Sequence, residues 1–459
     1  MKQSVITNVV RHGLCIGCGL CAALCPQEAL EMAWNQHGEY NPIEATPCIT
    51  ECGLCLNVCP FADHEENEDM IGKELYGGVQ GISHHPETGY YLSTYVGYAE
   101  RHRLSSASGG VVTWLLERLL SERVVDYVIC VAPTGNPDRL FSFTIFDTAE
   151  GVHAGAGSAY YPTEMSGVIK QVLNSPGRYA VTGLPCFIKA IRLAQKRNTK
   201  IRERVVVTIG LVCGQLKSRH FTDYIAALAG VRERVTGVRY RGKSSDQPAS
   251  NYHFAFKTEN GDERRIFLSE GIAEAWTNRW FTPNACNYCD DIFAECADVA
   301  CMDAWMPEYS KDSRGTSLVQ VRSPLLRELF IGGQGIFMNP IHIDRIVQSQ
   351  EGVIAIKRCQ LAYRLYLDNK KEKVTPKKRV ASAIPQNLLL RREVVLKDRM
   401  QAMSKDLWAN CSMDAKRLQE VMNPTLRQLL LQRLIVAAIA FQIRILEHVK
   451  GKVWHRQHQ

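Results

Sequence analysis

The sequence predicts an α/β chain, α+β overall. A small cysteine-rich N-terminal unit precedes a mixed, largely parallel sheet domain and a helical C-terminal extension. Three observations carry this prediction: a duplicated cysteine run before residue 60, an alternation of short β-branched segments with amphipathic stretches from about residue 95, and a basic, helix-patterned last hundred residues. The 459 residues exceed the length of roughly 250–300 at which single cores stop growing, so several domains are expected. Their expected limits are 1–62, a linker over 63–94, then 95–360 and 361–459.

In the first unit, Cys15, Cys18 and Cys21 are each separated by two residues, and Cys25 stands before Pro26. Cys48, Cys52, Cys55 and Cys59-Pro60 repeat the run, with three residues in place of two at its opening. This spacing wraps thiolates around cubane 4Fe-4S clusters, the cysteine before proline ligating the other cluster. Cys15, Cys18, Cys21 and Cys59 are therefore expected to hold one cluster, and Cys48, Cys52, Cys55 and Cys25 its twin, as in a bacterial-type ferredoxin. Gly38 to Ile43 reads as the short strand and turn joining the two halves. Zinc needs neither a third cysteine nor the Cys-Pro ending. Disulfides need an oxidising compartment, and Met1–Arg11 has no apolar core of signal-peptide length. With 17 cysteines, a reducing cytoplasm is the expected location.

The acidic run Asp63–Asp69 reads as linker, and His84 and His85 beyond it as surface residues. Strands are then expected at Val124–Val131, Leu140–Asp147, Arg178–Thr182 and Arg204–Val212, and helices over 109–121, 163–174, 187–197 and 218–229. Asn260-Gly261 between two further apolar runs, Tyr252–Thr258 and Arg264–Leu268, signals an antiparallel hairpin. A hydrophobic content of 46% and a charged content of 22% are those of an ordinary globular enzyme.

The net charge of +8 is concentrated late in the chain, with Lys370, Lys371, Lys373, Lys377, Lys378 and Arg379 forming a cluster. It lacks interleaved aromatic residues or a reading motif, so a solvated connector is expected and nucleic acid is not an expected partner. Leu426–Phe441 is apolar on most of one side, but Arg433, Gln442 and Arg444 interrupt it, leaving no run of the about 18 residues that a membrane span requires. It is expected to pack on the body of the protein. The sharper alternative is peripheral contact with anionic lipid.

Cys186 and Cys213 each follow a predicted strand, at the edge where open α/β sheets bind ligands, and each has a glycine nearby. Cys286 and Cys289 form a paired turn downstream. Together these four could hold a third cubane, with Cys296 and Cys301 as rival ligands. Cys130, Cys359 and Cys411 read as core or incidental thiols. The turn Ser105–Gly110 opens a predicted helix. Its unpaired N–H groups could receive a pyrophosphate, or Ser108 could simply cap the helix.

The segments Ser105–Thr113, Gly157–Pro162, Gly183–Cys186, Gly210–Gly214, Tyr240–Lys243 and Cys286–Asp290 occur in an order that resembles the coenzyme F420 hydrogenase/dehydrogenase beta-subunit family. Ala297–Val299 and Gly315–Ser317 continue the match, which covers roughly residues 10–360. The resemblance implies an FAD-containing iron–sulfur oxidoreductase. It favours Cys186, Cys213, Cys286 and Cys289 as ligands of the third cluster, and Ser108, Gly109 and Gly110 as flavin contacts. Tyr160, Arg241 and Lys243 join that site as candidates, against the plainer readings of core packing and solvated charge.

Such a chain is expected to exchange electrons with a ferredoxin-like donor or acceptor. It would deliver them through the clusters and FAD to a small-molecule substrate as a two-electron reduction, or run the reverse. Coenzyme F420 and a sugar-linked compound are the candidate substrates that the resemblance raises. An adaptor subunit with no substrate pocket is the alternative. Asp290, Asp298 and Asp303 lie near the Cys286–Cys289 turn and are candidate proton relays, but no catalytic acid is identifiable.

Overall fold

The computed structural model describes residues 3–48, 52–63, 65–410 and 414–435. Strands β1 (Leu30–Trp34) and β2 (Tyr40–Glu44) pair antiparallel in the N-terminal unit. Asn35 closes their turn by accepting the N–H groups of His37 and Glu39 at 2.9 and 3.0 Å. Each cysteine run contains the tetrad Cys-Gly-Leu-Cys, in which the glycine precedes a four-residue helix with φ of +82° at Gly19 and +64° at Gly53. Only glycine adopts that conformation cheaply, so the tetrad turns the chain sharply between two thiols. Asn67 caps the next helix, Glu68–Tyr76, and a small hairpin follows, formed by β3 (Ser83–His85) and β4 (Gly89–Tyr91).

The central sheet is built from β5 (Ser93–Ala99), β6 (Tyr127–Asn136), β7 (Arg139–Phe146), β8 (Tyr179–Gly183) and β9 (Val205–Leu211). The strands β10 (Val235–Gly242), β11 (His253–Thr258) and β12 (Glu263–Phe267) form a separate antiparallel sheet, so the predicted hairpin stands apart from the main sheet. Strands β13 (Val299–Asp303), β14 (Ser317–Val321) and β15 (Ile336–Pro340) return to it, giving the order β15-β5-β14-β13-β9-β8-β6-β7. The middle strands β6, β8, β9 and β13 are parallel, with antiparallel strands flanking them on both sides. Parallel strands are buried on both faces and read as continuous apolar runs. Tyr179–Gly183 is buried throughout.

Helices at Val111–Ser121, Ser166–Asn174, Pro185–Arg197 and Arg219–Leu228 fall where the amphipathic period placed them. Pro185 occupies the first turn of its helix, where its missing N–H costs nothing, and this seats Cys186 immediately past β8. The C-terminal extension forms the helix Leu388–Asn410 and a helical stretch over 415–435. Leu418, Met422, Leu426 and Leu429 bury against an aromatic cluster containing Tyr224, Phe254 and Trp280. The described part of the apolar C-terminal stretch thus packs on the body, while Leu430, Leu431, Leu434 and Ile435 are exposed. Residues 436–441 of that stretch, and Cys411, lie outside the described residues. No helix among the described residues is long and apolar enough to cross a membrane.

The basic connector departs from the expected solvated run. Lys370, Lys371, Lys373 and Lys377 are exposed. The side chains of Lys378 and Arg379 are 4% and 7% exposed, and they bind the buried carboxylates of Asp290 and Glu295. Glu68, from the acidic run, joins Arg379 and Lys189 in the same network. Charge at these positions is buried because opposite charges from distant segments neutralise it.

Candidate redox centre

The cysteine turns fold so that Cys15, Cys18, Cys21 and Cys59 line one small cavity. Burial pushes the Cys15 thiol up to about 11, with Glu39 adding to it, and Cys59 up to about 12, with Cys15 and Cys55 adding to it. Cys18 and Cys21 are also raised by burial, with Cys59 contributing to both. Cys59 thus lies with Cys15, Cys18 and Cys21 of the other run. Cys55 is raised by burial and by Cys52 and Cys25, which places these three thiols together as a second group. The Cys48 N–H donates to the Glu44 carboxylate at 3.0 Å. The two groups differ in depth. Cys18, Cys21 and Cys59 are buried, whereas Cys52 is exposed and Cys25, Cys48 and Cys55 are half-buried.

Past the ends of β8 and β9, Cys186 and Cys213 meet the turn carrying Cys286 and Cys289. Cys186 is raised well above its ordinary value by burial, then by Cys289, Cys213 and Cys286. Burial also pushes Cys213 up to about 12, with Cys286 and Cys289 adding to it. Four thiols gathered in this way, Cys286 and Cys289 buried and Cys186 and Cys213 half-buried, are suited to a multivalent cationic centre. The rivals lie elsewhere. Cys296 is surrounded by Glu68, Asp291 and Lys189, and Cys301 sits within β13 with burial alone acting on it.

Sequence reading missed the cations around this third group. Lys357 Nζ donates to Cys289 Sγ at 3.2 Å and to the Asp291 carbonyl at 2.8 Å. Burial works to lower this lysine, but Cys289, Cys213 and Cys286 hold it above its ordinary value. Lys217 is fully buried between Phe221 and Trp276, and donates to the Trp280 carbonyl at 2.7 Å. No local motif marks either residue, because each acts through partners about 60–70 residues away. The candidate relays are all ion-paired: Asp290 with Lys378 and Arg379, Asp298 with Arg192, and Asp303 with Arg241.

The N-terminal unit abuts this third group. Cys15, Ile16, Leu216 and Pro283 line a common cavity, and the Leu216 N–H donates to Cys286 Sγ at 3.4 Å. The contact is secured by the Met165 N–H on the Cys18 carbonyl at 2.9 Å and by Asn284 Nδ2 on the Gly13 carbonyl at 3.2 Å.

On the far side of β13, the turn Ser105–Gly110 lies against β5 and β14. The helix N-cap is Gly110, at φ +79°. Ser108 is not the cap: its hydroxyl donates to the Thr316 carbonyl at 2.9 Å. The Gly109 N–H donates to Ser317 Oγ at 3.0 Å, and a Cβ at Gly109 would lie 2.8 Å from the Gly97 carbonyl oxygen. The first-turn N–H groups of Val111–Thr113 have no partner within the helix. Lys243 Nζ donates to the carbonyls of Ser108 at 2.7 Å, Arg314 at 2.5 Å, and Arg103. Burial, with Arg241 and Arg103 nearby, lowers Lys243 to about 7. Arg241 pairs with Asp303 at 2.8 Å between the rings of Tyr252 and Trp305, and its buried Nε has no hydrogen-bond partner. Tyr160 packs 4.7 Å from the Trp276 ring, its hydroxyl facing Arg241 and Tyr252. Burial is the main cause of the lowered Lys243, because Arg241 is paired with Asp303 and Arg103 with Asp312.

Two family models described as the coenzyme F420 hydrogenase/dehydrogenase beta subunit match the chain, the N-terminal one over residues 94–170 and the C-terminal one over 177–334. A 4Fe-4S dicluster domain matches residues 14–62. The chain is similar to a subunit of the F(420)H(2) dehydrogenase of Methanosarcina mazei, 22% identical over 316 residues, or 66% of this chain and 79% of that protein. It is 26% identical over 201 residues to the coenzyme F420-dependent sulfite reductase of Methanocaldococcus jannaschii, covering 42% of this chain and 27% of that protein. One polypeptide of the F420-reducing NiFe hydrogenase complex from Methanosarcina barkeri aligns with a TM-score of 0.49 at 18% identity, covering 66% of this chain and all of that one.

Proposed function

The chain belongs to the coenzyme F420 hydrogenase/dehydrogenase beta-subunit family, and from that premise we propose an iron–sulfur flavin oxidoreductase that exchanges electrons between a ferredoxin-like protein and an organic substrate. Bound 4Fe-4S clusters would supply one-electron exchange, and bound FAD would convert it to two-electron chemistry. The observation that carries the proposal is the convergence of Cys186, Cys213, Cys286 and Cys289 from three distant segments.

The chain's own residues give the proposed route a direction. The more exposed group, Cys25, Cys48, Cys52 and Cys55, would hold the cluster that meets a protein partner. The more deeply set group, half-buried Cys15 with buried Cys18, Cys21 and Cys59, would hold the next, and the Leu216 bridge leads from Cys15 to the third group. Lys357 would balance the anionic charge of the third group. The helix N-terminus at Val111–Thr113 would hold the flavin pyrophosphate, Lys243 would brace the turn through its bonds to the Ser108, Arg314 and Arg103 carbonyls, and Tyr160 with the neighbouring aromatic residues would wall the ring system off from water. F420 is the proposed hydride partner ahead of a sugar-linked compound, because the matched family and both relatives carry it in their names.

The test is anaerobic turnover. Purified protein should retain flavin and, with a reduced ferredoxin as donor, bleach oxidised F420. Retained flavin without F420 turnover would redirect the search to other substrates. Cluster reduction with no flavin in the preparation would contradict the oxidoreductase reading and leave the adaptor.

A further inference from the structure

Behind the serine–glycine turn lies a group of side chains that the redox scheme does not use. His102 ends the segment entering the turn, Glu117 lies on the helix Val111–Ser121, and His153 lies on the short helix Ala149–Ala154 that packs beside it. One potential ligand atom from each of the three falls within 4.8 Å of the others. His102 Nε2 is 2.7 Å from Glu117 Oε2, and the two imidazole rings are 5.8 Å apart. His102 is 1% exposed, and its Nδ1 is buried with no hydrogen-bond partner.

We propose that His102, Glu117 and His153 bind one first-row divalent cation, zinc in the first instance, at a site separate from the cysteine groups. The donor set selects the class of ion. Two imidazoles and one carboxylate suit zinc or ferrous iron, whereas magnesium and calcium take oxygen ligands almost exclusively. Tetrahedral zinc, with bonds of roughly 2.0–2.2 Å, places its ligand atoms about 3.4 Å apart. The observed arrangement reaches that when the 2.7 Å His102–Glu117 contact widens and His153, exposed on a six-residue helix, moves inward. The fourth position then faces solvent on the His153 side and takes water.

The plainer reading is a hydrogen-bonded His102–Glu117 pair with His153 nearby by accident. It leaves His102 Nδ1 buried without a partner, as does a cation held through Nε2, so what separates the two readings is the convergence of a third ligand atom, from His153, on the pair. The position of the site gives it a consequence. The His102 carbonyl accepts the Ser106 N–H at 3.0 Å and the Ser105 hydroxyl at 3.2 Å, and Gly110 packs directly on His102. A cation here would tie two helices to the base of the turn and fix the helix N-terminus from behind.

The experiment uses holoprotein with its iron–sulfur content intact, treated briefly with EDTA, titrated with zinc chloride under anaerobic conditions and desalted. Zinc and iron are then counted by mass spectrometry. The expected result is one zinc per chain, bound roughly tenfold or more weakly in His153→Asn and in Glu117→Gln, with iron unchanged in both. His153→Asn is an exposed change, so this variant should fold. Zinc-edge absorption spectra of the wild type should show nitrogen and oxygen neighbours only. Sulfur neighbours, equal zinc affinity in both variants, or no zinc retained by the wild type would each overturn the proposal.

Discussion

Cys59 belongs by sequence to the second cysteine run but lies with the first, and paired substitutions test this directly. Cys59→Ser combined with Cys15→Ser should lose no more iron than either change alone, because both thiols would serve one cluster. Cys59→Ser with Cys52→Ser should lose about twice as much, as independent sites do. The reverse pattern would show that each run keeps its own cluster. Lys357 provides a second residue-scale test. Lys357→Met removes a positive charge beside Cys289, so the potential of the third cluster should fall by on the order of 100 mV, the scale of a unit charge a few ångströms away at an effective dielectric near 20. An unchanged potential in an EPR-monitored titration would deny the lysine that role. Lys243 gives a pH test. Its proton affinity falls from 10.5 to about 7 on folding, so the unfolded chain holds the extra proton between those values. Stability should therefore rise with pH across that window and be lowest, through this group, at and below about 7. Lys243→Met should flatten the rise in melting temperature between pH 7 and 9. The cysteines were legible because their spacing is itself the ligand geometry. Lys357 and Lys217 were not, since a lysine's meaning depends on which distant segment it folds against.

At the scale of elements, the amphipathic period located the four helices named above to within a few residues, and β-branched runs located the strands between them. The flanking antiparallel strands β5, β14 and β15 are half-buried or mixed in composition, and no local pattern announces their pairing. The connector at Lys378-Arg379 is the clearest failure of local reading: the same charge run is exposed at Lys377 and buried two residues later. Arg379→Ala would leave buried Glu295 with only the longer Arg358 contact and buried Asp290 with only Lys378, at a cost of about 3–5 kcal/mol in a denaturant titration. A loss below 1 kcal/mol would mean that the connector is not docked there. Gly109→Ala drives a Cβ against the Gly97 carbonyl and Ser317, an overpacking cost of about 1–3 kcal/mol, and should release flavin as the turn shifts.

Across the whole molecule, the thiols descend in order from an exposed group, through a buried one, to the group at the carboxyl ends of β8 and β9, with the cationic turn beyond them. That order follows from the swapped cysteines, the position of Cys15 beside Leu216, and the parallel middle of the sheet, which delivers Cys186 and Cys213 to the same edge. Sequence spacing marked the first two groups outright and raised the third with Cys296 and Cys301 as rival ligands. The third required segments about 100 residues apart to meet, and the family resemblance selected its members. Its existence is most directly tested by metal content in anaerobically purified wild type and Cys286→Ser. The wild type should carry about twelve irons and the variant about eight, with the signals of the two N-terminal clusters unchanged. About eight irons in both proteins would contradict the account.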